Sequence, residues 1–156
     1  MKRLLFAIVL LACQTGIFAQ RSINESFEQA NHTAGWSLEF NRGGASGYLV
    51  LLDSSTAYDG RYSVSIEPDP AAADRRFGAF FSAIPVDFSG TEITLKAFLK
   101  TENVSDDGMA GLWMRIDGES GVLGFDNMQS RPVKGSTDWK EYTISLPLSD
   151  EAKTVN

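Results

Sequence analysis

The feature that most constrains this chain is the alternation of apolar and polar residues in short segments that end at turn signals. Apolar residues at every second position are typical of strands with one buried face. No segment shows a sustained helical period. We therefore predict an all-β fold, an antiparallel β-sandwich or jelly roll of the class that includes galactose-binding-like domains. The alternating segments are residues 36–40, 62–66, 93–100, 112–117 and 141–146.

The first nineteen residues have the layout of a secretory signal peptide. Lys2 and Arg3 precede an apolar run from Leu4 to Ala12, and Ala19 offers a small residue before a cleavage site. The run is too short to span a membrane, which needs about 20 apolar residues. We predict a signal peptide over residues 1–19, export to the periplasm or the exterior, and a folded module over residues 20–156.

Cys13 provides an alternative for the N-terminus. Leu10-Leu11-Ala12-Cys13 is similar to a bacterial lipoprotein box, in which Cys13 would carry the lipid. The apolar stretch continues past Cys13, which favours cleavage after Ala19. A chain cleaved there has no cysteine, so a packed core and not disulfides must hold the fold.

The charge of the chain is acidic. The net charge is −6, and removal of Lys2 and Arg3 with the signal peptide would bring it to −8. Contact with nucleic-acid phosphates needs a basic face. The sequence therefore predicts no nucleic-acid partner.

The sequence has few residues that could bind a metal ion or form a site for nucleophilic catalysis. His32 is the only histidine, and Tyr48 occupies the position where a nucleophile elbow requires glycine. Zinc is excluded because one histidine, with no cysteine after cleavage, cannot supply its usual nitrogen and sulfur ligands. We predict no cofactor. A structural calcium ion held by Glu28, Asp53 and Asp59 is an alternative, although aspartates that form turns explain these residues better.

Two carboxylates could serve a glycosidase. Asp117 and Asp126 lie on a predicted hairpin, and glycoside hydrolysis uses such a pair. Asp117 precedes a glycine and Asp126 ends a strand, so both positions also suit turns. We therefore predict that this chain has no catalytic residues.

Residues 110–131 are the most informative for binding. Met114 and Ile116 lie on the apolar face of a predicted strand, and Trp113, Arg115 and Asp117 lie on the other face. An aromatic platform beside bidentate polar groups suits recognition of a sugar. The alternative is that both faces are buried, with Trp113 under a loop and Arg115 paired with Asp117.

Three segments carry a resemblance to a known region: Gly111-Leu112-Trp113-Met114-Arg115-Ile116-Asp117-Gly118, Phe125-Asp126-Asn127-Met128 and Lys134-Gly135-Ser136-Thr137-Asp138-Trp139. The resemblance is most specific from Lys100 to Trp139 and extends over about Ser22–Asn156. The chain resembles a jelly-roll segment, similar to carbohydrate-binding modules, that precedes tail-specific peptidase or erythromycin-esterase-like domains in exported proteins. That pattern continues into a further strand and an acidic motif, so the resemblance implies a module that lacks its final strand.

The resemblance implies a non-catalytic, carbohydrate-binding-like accessory module, the N-terminal part of a secreted hydrolase. The implied ligand is a glycan or a peptide-like polymer. An alternative is an interaction scaffold that packs on a downstream catalytic domain and binds no free ligand. The candidate ligand-binding residues are Trp113, Arg115, Asp126, Asn127 and Arg131.

Overall fold

The computed structural model describes residues 26–28, 35–39, 47–73 and 77–156. These residues form ten strands and no helix, and every strand pairing is antiparallel, which confirms the predicted all-β class. The strands are β1 (Trp36–Glu39), β2 (Tyr48–Asp53), β3 (Ser63–Pro68), β4 (Ala79–Ser82), β5 (Ile84–Pro85), β6 (Glu92–Val104), β7 (Met114–Gly118), β8 (Gly121–Asp126), β9 (Gly135–Pro147) and β10 (Ala152–Val155).

The strands are arranged in one four-stranded sheet and three two-stranded pairs. The larger sheet has the order β5-β10-β7-β8, and the pairs are β1-β4, β2-β3 and β6-β9. The longest ladder joins β6 and β9, from Glu92 opposite Pro147 to Val104 opposite Gly135. The four-stranded sheet carries the candidate site, with β7 between β10 and the outer strand β8.

The core lies between β7, β9 and β10. Met114 and Ile116 of β7 are only 2% and 0% exposed, and Ile144 of β9 is 1% exposed. Burial of such side chains is the main favourable term in folding. The alternation predicted for residues 112–117 is therefore confirmed at the buried positions of β7. The buried hydrophobic cluster comprises Met114, Ile116, Met128, Val133, Ile144, Leu148, Ala152 and Val155.

The loop between β2 and β3 crosses the outer face of the β6–β9 ladder. The Tyr58 ring stacks on the Phe98 ring with centroids 3.6 Å apart, and Trp139 meets Tyr58 edge-on at 6.4 Å. Phe98 alternates with the core positions of β6, so the apolar ring would otherwise face water. The stacked tyrosine covers this ring, which explains an aromatic residue on a face where the sequence pattern predicts polar ones.

Several N-terminal predictions lie outside the described residues. These are the signal peptide over residues 1–19, the lipid at Cys13 and the loop position of His32. Within the described ranges, no helix has the length and apolar character needed to cross a membrane.

Candidate functional site on the outer face of β7

The outer face of β7 presents a linked set of polar side chains. Because Met114 and Ile116 point into the core, the alternate residues Arg115 and Asp117 point away from it. The Arg115 Nε–H donates to Asp117 Oδ2 at 3.0 Å. The two side chains are 41% and 27% exposed, so the pair is half-buried.

Asn156, which directly follows β10, completes this set. The Asn156 side-chain Nδ2–H donates to Asp117 Oδ2 at 2.7 Å. The backbones of Asn156 and Arg115 also exchange two hydrogen bonds, of 2.8 and 2.9 Å. Asp117 Oδ2 therefore accepts from both neighbours, and the three polar groups hold one another in place.

Apolar side chains surround this polar set. Phe125 of β8 lies directly opposite Arg115 and is 54% exposed, and Val122 lies opposite Asp117 and is 59% exposed. Trp113, just before β7, packs against Phe81 of β4 with ring centroids 5.8 Å apart. The result is an arginine on a sheet face bordered by exposed apolar groups.

A second arginine–aspartate pair lies in the turn that follows β8. Arg131 Nη1 and Nη2 donate to the two carboxylate oxygens of Asp126 at 3.1 and 2.7 Å. The Met128 backbone N–H donates to the same carboxylate at 2.8 Å. These contacts hold the pKa of Asp126 below its usual value, and the hydrogen bond from Arg131 is the main cause.

The same turn holds a buried methionine in an unusual backbone conformation. Met128 has φ 58°, in the left-handed region that non-glycine residues seldom adopt, and it is 1% exposed. Its sulfur accepts a hydrogen bond from the Leu112 backbone N–H at 3.2 Å. The Asp126–Arg131 pair and the methionine contacts together stabilise the turn.

The five candidate binding residues do not share one face. Asp126 lies directly opposite Met114, so it lies on the core side of the sheet, whereas Arg115 lies on the outer side. Asn127 accepts a hydrogen bond from the backbone N–H of Gln129 within the turn. The structure therefore groups Asp126, Asn127 and Arg131 in the turn and separates them from Trp113 and Arg115. Ligand binding by any of the five stays a prediction.

The alternative interpretation of this strand is seen only in part: Arg115 pairs with Asp117, but the outer face is not buried, since Arg115 is 41% exposed. Sequence reasoning did not include Asn156 or Phe125 among the candidate site residues. Phe125 alternates with Gly124 and Asp126 along β8, but its place on the Arg115 face depends on the register of β8 against β7. No local signal could have identified Asn156, because its contact depends on β10 lying beside β7.

The calcium alternative finds no support in the described ranges. No three histidine, cysteine or acidic side chains there are grouped to hold a metal ion. Glu28 Oε1 accepts from the backbone N–H groups of Arg61 and Tyr62, at 2.8 and 2.9 Å. Asp53 accepts two hydrogen bonds from Ser55, and Asp59 accepts one from the Gly60 N–H. The contacts of Asp53 and Asp59 are local, as the turn interpretation predicts, whereas Glu28 joins two distant segments of the chain.

The glycosidase alternative does not fit the geometry. Asp117 and Asp126 lie on opposite faces of the hairpin, so they do not face each other across a cleft. A general acid needs a raised pKa, whereas the pKa of Asp126 is lowered. The statement that the chain has no catalytic residues stays a prediction.

Comparison with known proteins gives one informative similarity. No family model and no solved structure match the chain. The chain is similar to the uncharacterized HTH-type transcriptional regulator YbfP of Bacillus subtilis (strain 168), with 29% identity over 107 residues. The match covers 67% of this chain and 36% of the regulator, so it spans little more than a third of the regulator's length.

The matched stretch must include much of the β-structure. A stretch that covers 67% of the chain includes its middle third, where β3, β4, β5 and β6 lie. The similarity therefore includes residues that form strands and turns. The described residues of this chain form no helix.

This similarity corrects the functional prediction. The carbohydrate-binding-like accessory module and the scaffold for a hydrolase are both wrong, because the matched protein is a transcriptional regulator. The prediction of no nucleic-acid partner also lacks support. The segments that suggested a carbohydrate-binding module form β7, the end of β8 with the turn that follows it, and the start of β9. They indicate the fold and not the ligand.

Proposed function

We propose that this chain is a regulator-related β-domain that binds an effector molecule and does not read DNA itself. One observation carries the proposal: the similarity to an HTH-type regulator includes a long part of the chain that forms strands and no helix. A helix-turn-helix motif consists of two helices. The shared part is therefore a domain other than the DNA-reading one.

The charge and surface of the domain support a role in binding a small molecule. The net charge of −6 is unfavourable for contact with the DNA backbone. The outer face of β7 offers a half-buried arginine bordered by apolar groups. A few polar groups in apolar surroundings are typical of small-molecule sites.

We also propose a finer architecture for the domain. In it, the β6–β9 ladder packs over the inner face of the β5-β10-β7-β8 sheet as the two layers of a jelly-roll sandwich. The support is that Ile144 of β9 belongs to one buried cluster with Ile116 of β7 and Val155 of β10.

Two measurements on the purified chain test the function. In a thermal-shift screen of metabolites, we expect at least one compound to raise the unfolding temperature, because a ligand that binds only the folded state stabilises it. With labelled duplex DNA at low salt we expect no binding. Binding that falls steeply with salt would overturn the proposal, since that dependence identifies phosphate contacts.

We further propose that residues 1–19 direct export. The support is their basic start, apolar run and small residue before the cleavage site. A fusion of the chain to alkaline phosphatase, which is active only after export, should be active in bacteria and inactive when residues 1–19 are deleted. An inactive full-length fusion would contradict export and place the domain in the same compartment as DNA.

A further inference from the structure

We propose that the outer face of β7, β8 and β10 binds a small organic carboxylate with an apolar body through the terminal nitrogens of Arg115. This inference rests on the proposed function, since it names the chemical class of the effector. Four properties of the site support it: a fixed guanidinium, terminal nitrogens without partners, a nearly neutral local charge and an apolar border.

The guanidinium of Arg115 is fixed before any ligand arrives. Its Nε–H donates a hydrogen bond to Asp117, and Asp117 also accepts a hydrogen bond from the Asn156 side chain. The backbone of Arg115 lies between β8 and Asn156, with which it exchanges two hydrogen bonds. A positioned arginine loses less conformational entropy when it binds an anion than a mobile surface arginine would.

The terminal nitrogens of Arg115 remain available. Within the described residues they form no hydrogen bond, because the contact with Asp117 uses only Nε. Two parallel N–H groups at this end of a guanidinium match the two oxygens of a carboxylate. Arg131 differs here, since both its terminal nitrogens already bind Asp126.

The local charge favours a monoanion. The negative charge of Asp117 lies 3.0 Å from Arg115 Nε, so the pair is close to neutral and cannot balance a dianionic phosphate. One carboxylate added to the exposed end of the arginine leaves the site with a single net negative charge. A phosphate dianion would leave two, and the described residues place no second cation in contact with Asp117.

The border of the site favours an apolar body on the ligand. Phe125 and Val122 are more than half exposed and lie opposite Arg115 and Asp117. Exposed apolar groups beside a charged group are typical of surfaces that bind a ligand. A ring or an alkyl chain attached to the carboxylate would cover these side chains and shield the ion pair from water.

The test uses nuclear magnetic resonance of the ¹⁵N-labelled full chain, titrated with benzoate. We expect saturable shifts at the backbone amides of Arg115 and Phe125 and at the Trp113 indole N–H. Benzamide, which has the same shape and no charge, should bind about tenfold more weakly or not at all, since a charge-assisted hydrogen bond is about twice as strong as a neutral one. Inorganic phosphate should not produce the same shifts.

Two matched variants separate the site from a general effect of charge. R115Q should weaken benzoate binding about tenfold or more, in line with the loss of a charged hydrogen-bond pair. R131Q should leave it within about twofold, although the Arg131 side chain is equally exposed, at 44% against 41%. The spectrum of each variant shows whether the domain remains folded.

The outcomes distinguish this inference from the proposed function. Equal weakening by R115Q and R131Q, or no saturable shift with benzoate, would overturn the carboxylate site. If a different metabolite stabilises the domain in that case, the proposed function survives without this site. Salt-dependent DNA binding by the domain would instead overturn the proposed function.

Discussion

The two arginine–aspartate pairs of this domain have nearly the same exposure and different geometry. The side chains of Arg115 and Asp117 are 41% and 27% exposed, and those of Arg131 and Asp126 are 44% and 26% exposed. Arg131 binds its partner with both terminal nitrogens, whereas Arg115 uses only Nε. Exposure alone therefore does not distinguish a pair that closes a turn from a pair that leaves donors for a ligand. The bonding pattern does.

The largest loss of stability should come from replacing Met128, the buried residue in the turn that the Asp126–Arg131 pair stabilises. Met128→Ala should lower the free energy of unfolding by about 2–5 kcal/mol, because it leaves a cavity in the core. Urea unfolding followed by circular dichroism measures the change. Met109→Ala is the matched control, because Met109 is 44% exposed and should change stability very little. Equal losses in both variants would contradict the core position of Met128.

The next largest loss of stability should distinguish the carboxylates of Asp126 and Asp117. Asp126→Ala should cost about 1–3 kcal/mol, because it removes the partner of Arg131 and the acceptor for the Met128 N–H. Asp117→Ala should cost less, since each of its two neighbours loses only one side-chain hydrogen bond to it. The same urea experiment compares the two variants. A larger loss for Asp117→Ala would reverse the assignment of the structural pair.

The sequence was sufficient to predict the strands of this region. Alternation over residues 112–117 and the Asp117-Gly118 turn indicated a hairpin, and the structure has β7 and β8 there. These signals are local, because each depends on neighbouring residues and on the period of a strand. The all-β class follows from the same local signals repeated along the chain.

The arrangement of the candidate site was harder to predict. Whether Asp126 shares a face with Arg115 depends on the register of β8, and a shift of one residue reverses the answer. The observed register places Asp126 opposite Met114 and Phe125 opposite Arg115. The contact between Asn156 and Asp117 depends on a long-range pairing of β10 with β7. Motif resemblance carried no information on register, so it grouped residues that the fold separates.

The pH dependence of stability should also differ between the two pairs. The pKa of Asp126 is lowered in the folded state, so its stabilising contribution is complete above its unfolded-state pKa, about 3.8. The contribution is lost as the pH falls through that value to the lower folded-state pKa. Asp126→Asn should therefore be less stable than the natural chain at about pH 6, and the difference should shrink as the pH approaches about 3.

Urea unfolding at a series of pH values measures this difference. Comparing the two proteins cancels the contribution of Asp53 and Asp107, whose pKa values are also lowered, chiefly by hydrogen bonds from serine hydroxyl groups. A difference that stays constant down to about pH 3 would mean that the charge of Asp126 does not contribute to the stability of the turn.

The smallest effect on stability should come from the arginine that we assign to ligand binding. Arg115→Gln should change the free energy of unfolding by about 0.5 kcal/mol or less, because a single half-exposed ion pair contributes little. Arg131→Gln should cost more, since two charged hydrogen bonds in the turn are lost. If Arg115→Gln weakens benzoate binding without destabilising the domain, Arg115 acts in ligand binding and not in folding. If Arg115→Gln proved more destabilising than Arg131→Gln, the Arg115–Asp117 pair would have a structural role. The assignment of Arg115 to ligand binding would then be wrong.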